Sequence, residues 1–309
     1  MRAVFLSTVL PGAPWARELK RHMPELDLAL PPEIADPAAI EAALAWQPPA
    51  GALARFPNLR LVHALGAGIE TLLIDSGLGP DVSVVRLVDP WMTRAMGEFV
   101  EMQVLRLHRQ EPAYRAQQAA REWRELPQPN ADERRIGILG LGALGSEAAL
   151  RLKVLGFDVM GWSRSERPQK GFPCLSGPKG LARVLRRSDI LVCLLPLTAE
   201  TENILDARLF AALPKGAAIV NCARGAHLIE ADLLAALDSG HLSAAALDVF
   251  RIEPLPKEHP FWRHPKILVT PHAAAATNPN TAAPIVAEAL RRFAAGARPA
   301  NLVDRARGY

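Results

Sequence analysis

The chain has 309 residues, half of them hydrophobic, which is enough for two domains with their own apolar cores. The net charge is +4, and the basic residues are scattered along the chain rather than gathered into one stretch. We therefore expect no nucleic-acid partner, and no run reaches the roughly 18 apolar residues of a membrane span. A mild positive excess suits a small anionic ligand better.

Cysteine and histidine usage argues against a metal site. Cys174, Cys193 and Cys222 are odd in number and form no Cys-X-X-Cys pair, and no His-Glu-X-X-His motif is present. We interpret Cys193 and Cys222 as packing residues, and this cysteine usage fits a reducing cytoplasm. The apolar start at residues 3–6 is ended early by Pro11, so it predicts a first β-strand rather than a signal peptide.

Residues 2–90 predict a small α/β domain. Short β-type runs are separated by turns at residues 3–6, 26–30, 42–46, 61–64 and 82–87, with helical patches at 15–22 and 37–43. Two strand ends are notable. Trp46 ends one run with a large aromatic side chain, and Gly66-Ala67-Gly68 follows another with backbone that can approach a ligand closely.

From residue 91 to residue 123 the pattern predicts a long amphipathic helix, with Phe99, Val100 and Val104 on one face. Pro112 is expected to end or kink it. A helix of this kind between two domains either packs as a linker or presents a subunit surface.

A glycine-rich turn then joins a strand at 136–139 to a helix at 146–155 and a second strand at 157–162. This βαβ context is typical of a dinucleotide-binding unit. The first glycine allows a sharp turn, the second lets a diphosphate approach the helix N-terminus, and the third lets the helix lie close to the strand. The turn residues expected at the cofactor are Gly140, Gly142, Ala143, Leu144 and Gly145.

The end of the second strand indicates which dinucleotide is bound. An acid about 20 positions after the glycines would bind the ribose 2′-hydroxyl of NAD, but here Ser163-Arg164-Ser165 follow instead. Arg164 can form a charge-assisted bond with a 2′-phosphate, and the two serines can add hydroxyl bonds. We therefore predict that NADP(H) is preferred and that NAD(H) is possible. The alternative is that Arg164 is an ordinary solvated arginine.

Further apolar runs at 190–195, 217–221, 243–247 and 267–269 complete the six strands of a doubly wound sheet. Ligands of such sheets bind beyond the carboxyl ends of the strands. The last three runs are each followed by side chains that can do chemistry: Arg224 follows the first, Asp248 and Glu253 follow the second, and His272 follows the third. A cation, two carboxylates and an imidazole are therefore expected together at the carboxyl ends of the strands. Arg224 or His272 alone could be structural, but their joint position favours an active site.

Several motifs make the chain resemble the D-isomer-specific 2-hydroxyacid dehydrogenases. They are Asn-Cys-Ala-Arg-Gly at 221–225, Leu-Asp-Val-Phe at 247–250, Glu-Pro-Leu-Pro at 253–256 and Thr-Pro-His-Ala-Ala at 270–274. Trp-Gln-Pro-Pro at 46–49, Trp-Ser-Arg-Ser at 162–165 and Val-Asp-Arg-Ala-Arg-Gly-Tyr at 303–309 resemble one subgroup of that family. The resemblance runs nearly from end to end.

The resemblance implies a two-domain α/β fold. A doubly wound parallel-sheet (Rossmann) cofactor domain at 93–279 is inserted in a flavodoxin-like substrate domain at 1–92 plus 280–309, with the last helix, about 279–295, crossing back. It implies a cleft that closes on the ligands and a homodimer with the helix after Trp91 at the interface.

Site roles follow from the same resemblance. Arg224 would bind the carboxylate and carbonyl oxygen of a 2-oxo acid, His272 would be the general acid, and Glu253 would hold its tautomer and favour its charged form. Reduction should therefore fade as the pH rises. The remaining cofactor contacts are expected from Leu195, Pro196, Thr201, Cys222, Ala223, Asp248 and Ala274, and the remaining substrate contacts from Trp46, Ala67 and Gly68.

The implied reaction is NADPH-dependent reduction of glyoxylate to glycolate and of hydroxypyruvate to D-glycerate. Ala273 is small where many relatives carry a branched residue, which leaves open a broader 2-ketoacid reductase. A second alternative is a nicotinamide-binding sensor or corepressor on the same fold. The presence of Arg224, Glu253 and His272 together argues against the sensor.

Overall fold

The computed structural model describes residues 1–32, 34–166, 171–306 and 308, and the chain divides into two compact units. Unit 1 contains Met1–Met92 and Thr277–Tyr309, and unit 2 contains Thr93–Ala276. The division thus falls between residues 276 and 277, where the sequence placed it between 279 and 280. Arg307 and Tyr309 of the predicted terminal motif lie outside the described residues.

The regular elements of the described residues are as follows. The strands are β1 (Arg2–Ser7), β2 (Asp27–Ala29), β3 (Ala42–Trp46), β4 (Leu61–Ala64), β5 (Ser83–Val85), β6 (Arg135–Leu139), β7 (Asp158–Ser163), β8 (Cys174–Ser176), β9 (Ile190–Cys193), β10 (Ala217–Asn221), β11 (Leu242–Leu247) and β12 (Ile267–Val269). The helices are α1 (Gly12–His22), α2 (Glu70–Leu73), α3 (Pro90–His108), α4 (Glu111–Ala120), α5 (Ala143–Val154), α6 (Gly177–Arg187), α7 (Ala207–Ala211), α8 (Glu230–Asp238) and α9 (Pro279–Ala294).

Unit 1 is built on a parallel sheet with the strand order β2-β1-β3-β4-β5. This is the flavodoxin-like order, so the predicted fold of this part is confirmed. The last helix belongs to it, because α9 packs against α1 and the Arg291 guanidinium lies 3.1 Å from a Glu25 carboxylate oxygen. Asn278 caps the start of α9, and Ala282, Ala283 and Val286 bury one face of it.

Two helix predictions in the first half of the chain were wrong in detail. Residues 37–43 do not form a helix: only Pro37–Ala39 make a 3₁₀ turn, and Ala42 already begins the buried strand β3. The long helix after residue 90 is split into α3 and α4. Gln110, with φ of 59°, interrupts it in the left-handed region, and Pro112 lies in the first turn of α4, where no donor is needed.

Unit 2 is built on a parallel sheet whose described strands have the order β12-β11-β10-β9-β6-β7-β8. Alternate residues of each central strand enter different apolar clusters: Leu191 and Cys193 pack on one face, and Ile190 and Val192 pack on the other. A sheet buried on both faces explains why these strands read as continuous apolar runs. The doubly wound Rossmann prediction is therefore confirmed.

One strand of unit 2 was missed. The sequence predicted six strands, but β8 (Cys174–Ser176) adds another at the edge by pairing with β7. It has three residues and no apolar run, so no local pattern marks it. Within the described residues, no helix is both long and apolar enough to cross a membrane.

His63 in β4 is a buried titratable group of unit 1. Its Nδ1 lies 2.8 Å from the Ala64 carbonyl oxygen, and its Nε2 has no hydrogen-bond partner among the described residues. Burial lowers the pKa of His63 from 6.5 to about 4, against the opposing effect of the Ala64 carbonyl. Between about pH 4 and pH 6.5, the ring is therefore mostly neutral in the native state and mostly protonated in the unfolded chain.

We predict that His63 makes the protein sensitive to acid. The pKa of His63 is lower in the native state than in the unfolded chain. The contribution of this ring to the free energy of unfolding is therefore constant above pH 6.5 and falls as the pH drops towards 4. The loss should reach about 2 kcal/mol at pH 5. His63→Leu should lose less free energy of unfolding between pH 7 and pH 5, as measured by urea denaturation. His22→Leu, at an exposed position, is the control, and equal pH dependence of all three proteins would contradict the prediction.

Candidate active site

The glycine-rich turn between β6 and α5 is shaped by close backbone approaches. Gly140 has φ of 94°, and a Cβ there would lie 2.5 Å from the Leu194 carbonyl oxygen. A Cβ at Gly145 would lie 1.9 Å from the Gly140 carbonyl oxygen. Both positions therefore require glycine, which brings the first turn of the helix directly against the end of the strand.

The same turn leaves space for an anion. A Cβ at Gly142 would meet no atom within 4 Å, and no side chain caps the first turn of α5 there. The backbone N–H groups at the start of α5 and the positive end of the helix dipole therefore face open space. A diphosphate fits this arrangement, since it needs backbone donors and no intruding side chain.

The end of β7 carries hydroxyl groups and a guanidinium. The Ser163 hydroxyl donates to the Ser165 carbonyl oxygen at 2.6 Å, which closes a tight turn around the exposed Arg164. The pKa of nearby Glu200 lies below its ordinary value, chiefly through a hydrogen bond from Thr198 and in smaller part through the charge of Arg164. An acid from another loop, Glu200, therefore lies close enough to Arg164 to interact with its charge.

The loop after β9 is closed by Thr201. Its hydroxyl donates to the Pro196 carbonyl oxygen at 2.7 Å and accepts the Thr198 N–H at 2.9 Å. Leu195, which precedes this closure, is buried. The Thr201 side chain therefore gives residues 195–201 a defined conformation at the carboxyl edge of the sheet.

Arg224 is held by the buried end of β10. The Asn221 side chain accepts the Ala223 N–H at 3.2 Å and donates to the Arg224 carbonyl oxygen at 3.2 Å. The Arg224 guanidinium donates to the Ala223 carbonyl oxygen at 2.6 Å. A Cβ at Gly225 would lie 1.8 Å from the Phe250 carbonyl carbon, so the arginine turn packs directly on the chain after β11.

Asp248 organises the backbone around His272. Its buried carboxylate accepts hydrogen bonds from the Thr270 hydroxyl at 2.7 Å, the Ala273 N–H at 2.9 Å and the Ala274 N–H at 3.0 Å. His272 itself has φ of 53°, in the left-handed region. These bonds stabilise an unfavourable backbone conformation at His272, which is a role that the sequence did not indicate.

His272 and Glu253 form a hydrogen-bonded pair. His272 Nδ1 lies 2.8 Å from Glu253 Oε2, and Glu253 Oε1 accepts the Phe250 N–H at 2.9 Å. Burial opposes ionisation of Glu253, but the bonds from His272 and Phe250 and the charges of His272 and Arg224 outweigh it and lower its pKa. The bond at Nδ1 leaves Nε2 as the ring nitrogen that can meet a ligand.

The predicted site residues fall in both units. Unit 2 brings Arg224, Glu253 and His272 together at one sheet edge. In unit 1, a Cβ at Gly66 would lie 2.2 Å from Trp46 Cζ3, so the indole packs on the turn that contains Ala67 and Gly68. In the described ranges no group of three or more His, Cys, Asp or Glu side chains is placed to hold a metal ion.

Two cysteines near this edge are unreactive. Burial raises the pKa of Cys193 to about 12, and burial together with the charge of Asp248 raises that of Cys222 well above its ordinary value. Both thiols therefore stay protonated at neutral pH. The predicted contact of Cys222 with the cofactor stays a prediction.

His227 is a residue whose importance the sequence did not reveal. Its side chain is fully buried. Its Nδ1 lies 3.2 Å from the Arg224 nitrogen and its Nε2 lies 3.3 Å from the Pro196 carbonyl oxygen. Its position three residues after Arg224, in a turn packed on the sheet edge, was the available signal.

The sheet order, the open glycine turn and the paired His272 and Glu253 define a dinucleotide-binding oxidoreductase fold. A family model described as "D-isomer specific 2-hydroxyacid dehydrogenase, NAD binding domain" matches residues 102–274. The glyoxylate/hydroxypyruvate reductase A of Serratia proteamaculans is 41% identical, with 100% of both chains covered. The chain therefore belongs to the D-isomer-specific 2-hydroxyacid dehydrogenase family.

Solved structures agree with this assignment. A D-isomer specific 2-hydroxyacid dehydrogenase of Xanthobacter autotrophicus Py2, in complex with NADPH and MES, is 44% identical with a TM-score of 0.96, covering 100% of this chain and 99% of that one. The NADPH-dependent glyoxylate/hydroxypyruvate reductase of Sinorhizobium meliloti, in complex with NADP and sulfate, is 38% identical with a TM-score of 0.91 and the same coverage. The chain is thus similar to these enzymes over its whole length.

We predict that Asp248→Asn weakens the His272 loop. The amide nitrogen of asparagine cannot accept a hydrogen bond, so at least one of the groups that donate to Asp248 would stay buried without a partner. This should lower the free energy of unfolding by about 1–3 kcal/mol. Urea unfolding should show this loss. Asp232→Asn is the control, because Asp232 accepts the Ala207 N–H near the surface at 2.8 Å. Equal losses in the two variants would contradict the assigned role of Asp248.

Proposed function

We propose that this protein reduces glyoxylate to glycolate and hydroxypyruvate to D-glycerate, with NADPH as the hydride donor. The observation that carries the proposal is the His272–Glu253 pair beside Arg224, in the unit that also carries the glycine-rich turn. The printed names of the relatives from Serratia proteamaculans and Sinorhizobium meliloti support the same reaction. The proposed substrate is therefore a small anionic 2-oxo acid, and the product is the 2-hydroxy acid.

In the proposed mechanism, Arg224 binds the substrate carboxylate and carbonyl oxygen through charge-assisted hydrogen bonds and so orients the carbonyl carbon. When bound, NADPH supplies the hydride. His272 Nε2 donates a proton to the carbonyl oxygen, while Glu253 at Nδ1 holds the ring orientation and stabilises its positive charge. The reverse reaction uses neutral His272 as the general base.

The lowered pKa of Glu253 sets the acid limit of this pairing. When the pKa of a carboxyl group is lower in the native state than in the unfolded chain, ionisation of that group stabilises the fold. This stabilisation is fully present above the unfolded-state pKa and is lost as the pH falls through the native-state pKa. The bond to His272 is therefore kept through the neutral range.

The proposed preference for NADP(H) over NAD(H) follows from Arg164 and Ser165 at the end of β7, where a 2′-phosphate meets a cation and a hydroxyl group, while the Ser163 hydroxyl holds the turn through its bond to the Ser165 carbonyl oxygen. We propose that the diphosphate lies on the turn at residues 140–145. The other predicted contacts, including those of Trp46, Ala67 and Gly68 with substrate, stay predictions. The three free cysteines fit a proposed location in the reducing cytoplasm.

The decisive assay is the initial rate of NADPH oxidation with glyoxylate and with hydroxypyruvate. The Arg224→Ala and His272→Ala substitutions should each lower the rate by about 10² to 10⁴, because each removes a side chain that acts on the reacting carbonyl group. NADH should be the poorer donor. His241→Ala is the control, because His241 lies before β11 at the other edge of the sheet and bonds the Phe210 carbonyl oxygen at 2.7 Å.

The same assay separates the alternatives. Turnover of bulkier 2-oxo acids with higher kcat/KM would replace the proposal by a broader 2-ketoacid reductase, as the small Ala273 allows. Tight NADPH binding with no turnover of any 2-oxo acid would replace it by the nicotinamide sensor. A His272→Ala protein with unchanged rate would refute the catalytic assignment.

We also propose that the protein is a homodimer whose interface includes α3 and α5. Arg151 of α5 forms ion pairs with Glu98 at 3.7 Å and Glu101 at 3.3 Å of α3, so the exposed surfaces of the two helices adjoin. Both helices expose large apolar side chains, with Met102 at 52% on α3 and Val154 at 88% on α5. Exposed apolar groups on adjoining helices favour burial against a second copy.

We predict that Val154→Glu dissociates the dimer, because a charge would then be buried in an apolar interface. Sedimentation velocity at micromolar concentration should show a dimer for the unchanged protein and a monomer for the variant. Ile74→Glu, at an equally exposed apolar position of unit 1, should remain dimeric. A monomeric unchanged protein would reject the proposal.

A further inference from the structure

His227 lies between the two loops that the proposed function uses most. It ends the 3₁₀ turn Gly225–His227 directly after Arg224, and its side chain has no exposed surface. One ring nitrogen faces the backbone of Arg224, and the other faces the Pro196 carbonyl oxygen of the loop at residues 195–201. One buried ring therefore touches both the arginine turn and the loop expected along the cofactor.

A single ring tautomer satisfies both contacts. With the proton on Nε2, the ring accepts the Arg224 N–H at Nδ1 and donates to the Pro196 carbonyl oxygen. The other neutral tautomer would donate to the Arg224 carbonyl oxygen, 3.1 Å from Nδ1, and would turn an Nε2 lone pair towards the Pro196 oxygen. The Arg224 carbonyl oxygen already accepts from Asn221, so the Nε2-protonated ring fits better.

The carbonyl that receives His227 is itself part of a defined loop. The Thr201 hydroxyl donates to the same Pro196 oxygen at 2.7 Å. A hydrogen-bonded path thus runs from Thr201 through the Pro196 carbonyl and the His227 ring to the Arg224 N–H. Each ring nitrogen is therefore engaged by a separate bond, one to the arginine turn and one to the loop at residues 195–201.

The backbone of the turn is held by contacts that do not involve the imidazole. The Ala226 carbonyl oxygen accepts the Asn203 N–H at 2.9 Å, and the His227 carbonyl oxygen accepts the Leu205 N–H at 2.8 Å. The Arg251 guanidinium donates to the Leu228 carbonyl oxygen at 3.1 Å. The turn therefore keeps its place when the ring is replaced, and the ring adds a connection rather than the fold of the turn.

We propose that His227 is a positioning residue: its Nδ1 supports the backbone of Arg224, and its Nε2 supports the cofactor-edge loop at residues 195–201. The proposal rests on the proposed function, which places substrate on Arg224 and NADPH along this loop. The Nδ1 arm supports substrate binding, and the Nε2 arm supports cofactor binding. His227 contacts neither ligand.

Two substitutions separate the arms. Asparagine places an acceptor oxygen near the position of Nδ1 but does not reach Pro196, so His227→Asn keeps the Arg224 arm alone. Glutamine places a donor nitrogen near the position of Nε2 and has no acceptor at Nδ1, so His227→Gln keeps the Pro196 arm alone. Losing one neutral hydrogen bond should weaken the binding of the ligand that this arm supports by about 3- to 10-fold.

Two binding constants are measured, neither of which requires turnover. They are the Kd of NADPH from fluorescence titration and the Kd of hydroxypyruvate for the enzyme–NADP⁺ complex from calorimetry. His227→Asn should raise the Kd of NADPH and leave the Kd of hydroxypyruvate unchanged. His227→Gln should raise the Kd of hydroxypyruvate and leave the Kd of NADPH unchanged. His241→Asn and His241→Gln, at a partly buried histidine bonded to a carbonyl oxygen at the other sheet edge, should change neither constant.

The crossed pattern supports the proposal. Equal changes in both constants, or no change in either, would overturn it, with thermal unfolding showing in each case that the variants are folded. Failure of the proposed function has a separate signature. The unchanged protein would then show no oxidation of NADPH with any 2-oxo acid, whatever the His227 variants do.

Discussion

The site depends on one buried carboxylate. Asp248 lies at the end of β11 and takes three hydrogen bonds from the chain that follows β12, so two neighbouring parallel strands are tied together beyond their carboxyl ends. A buried charge with fewer donors would be unstable, and the left-handed backbone at His272 would relax without them. The orientation of the imidazole is thus set by a neighbouring strand, and Glu253 only completes it.

A related constraint acts at the glycine turn on the same edge of unit 2. Gly140 and Gly145 allow the strand, the turn and α5 to meet with no side chain between them, and Gly142 leaves the helix start open. The anion-binding end of a helix and the acid–base pair are therefore presented along one edge by the topology of the parallel sheet. The proposed acid–base pair and the proposed dinucleotide turn share one sheet because its described strands all run parallel, so their carboxyl ends lie on the same side.

Much of this arrangement could be predicted from sequence, for reasons that also explain the failures. The strands at 217–221, which is fully buried, and at 267–269, which is partly buried, are both apolar runs, so their ends, and with them Arg224 and His272, are visible in the pattern. β8 is too short and polar to be seen. The donors on Asp248 and the two contacts of His227 join residues from separate strands, and only the packed structure brings them together. Pro112 predicts a break in the long helix, but the position of the break at Gln110 depends on one left-handed residue, which no periodicity reveals.

The position of α9 has a consequence for how the protein emerges from the ribosome. Unit 2 is a continuous segment, whereas unit 1 is made of the first part of the chain and the last, with α9 packed on α1. Unit 2 can therefore fold during synthesis as soon as it is exposed, as contiguous domains do. The face of α1 that contacts α9 must stay uncovered until α9 has been synthesised, which makes that face the one most in need of chaperone protection in the nascent chain.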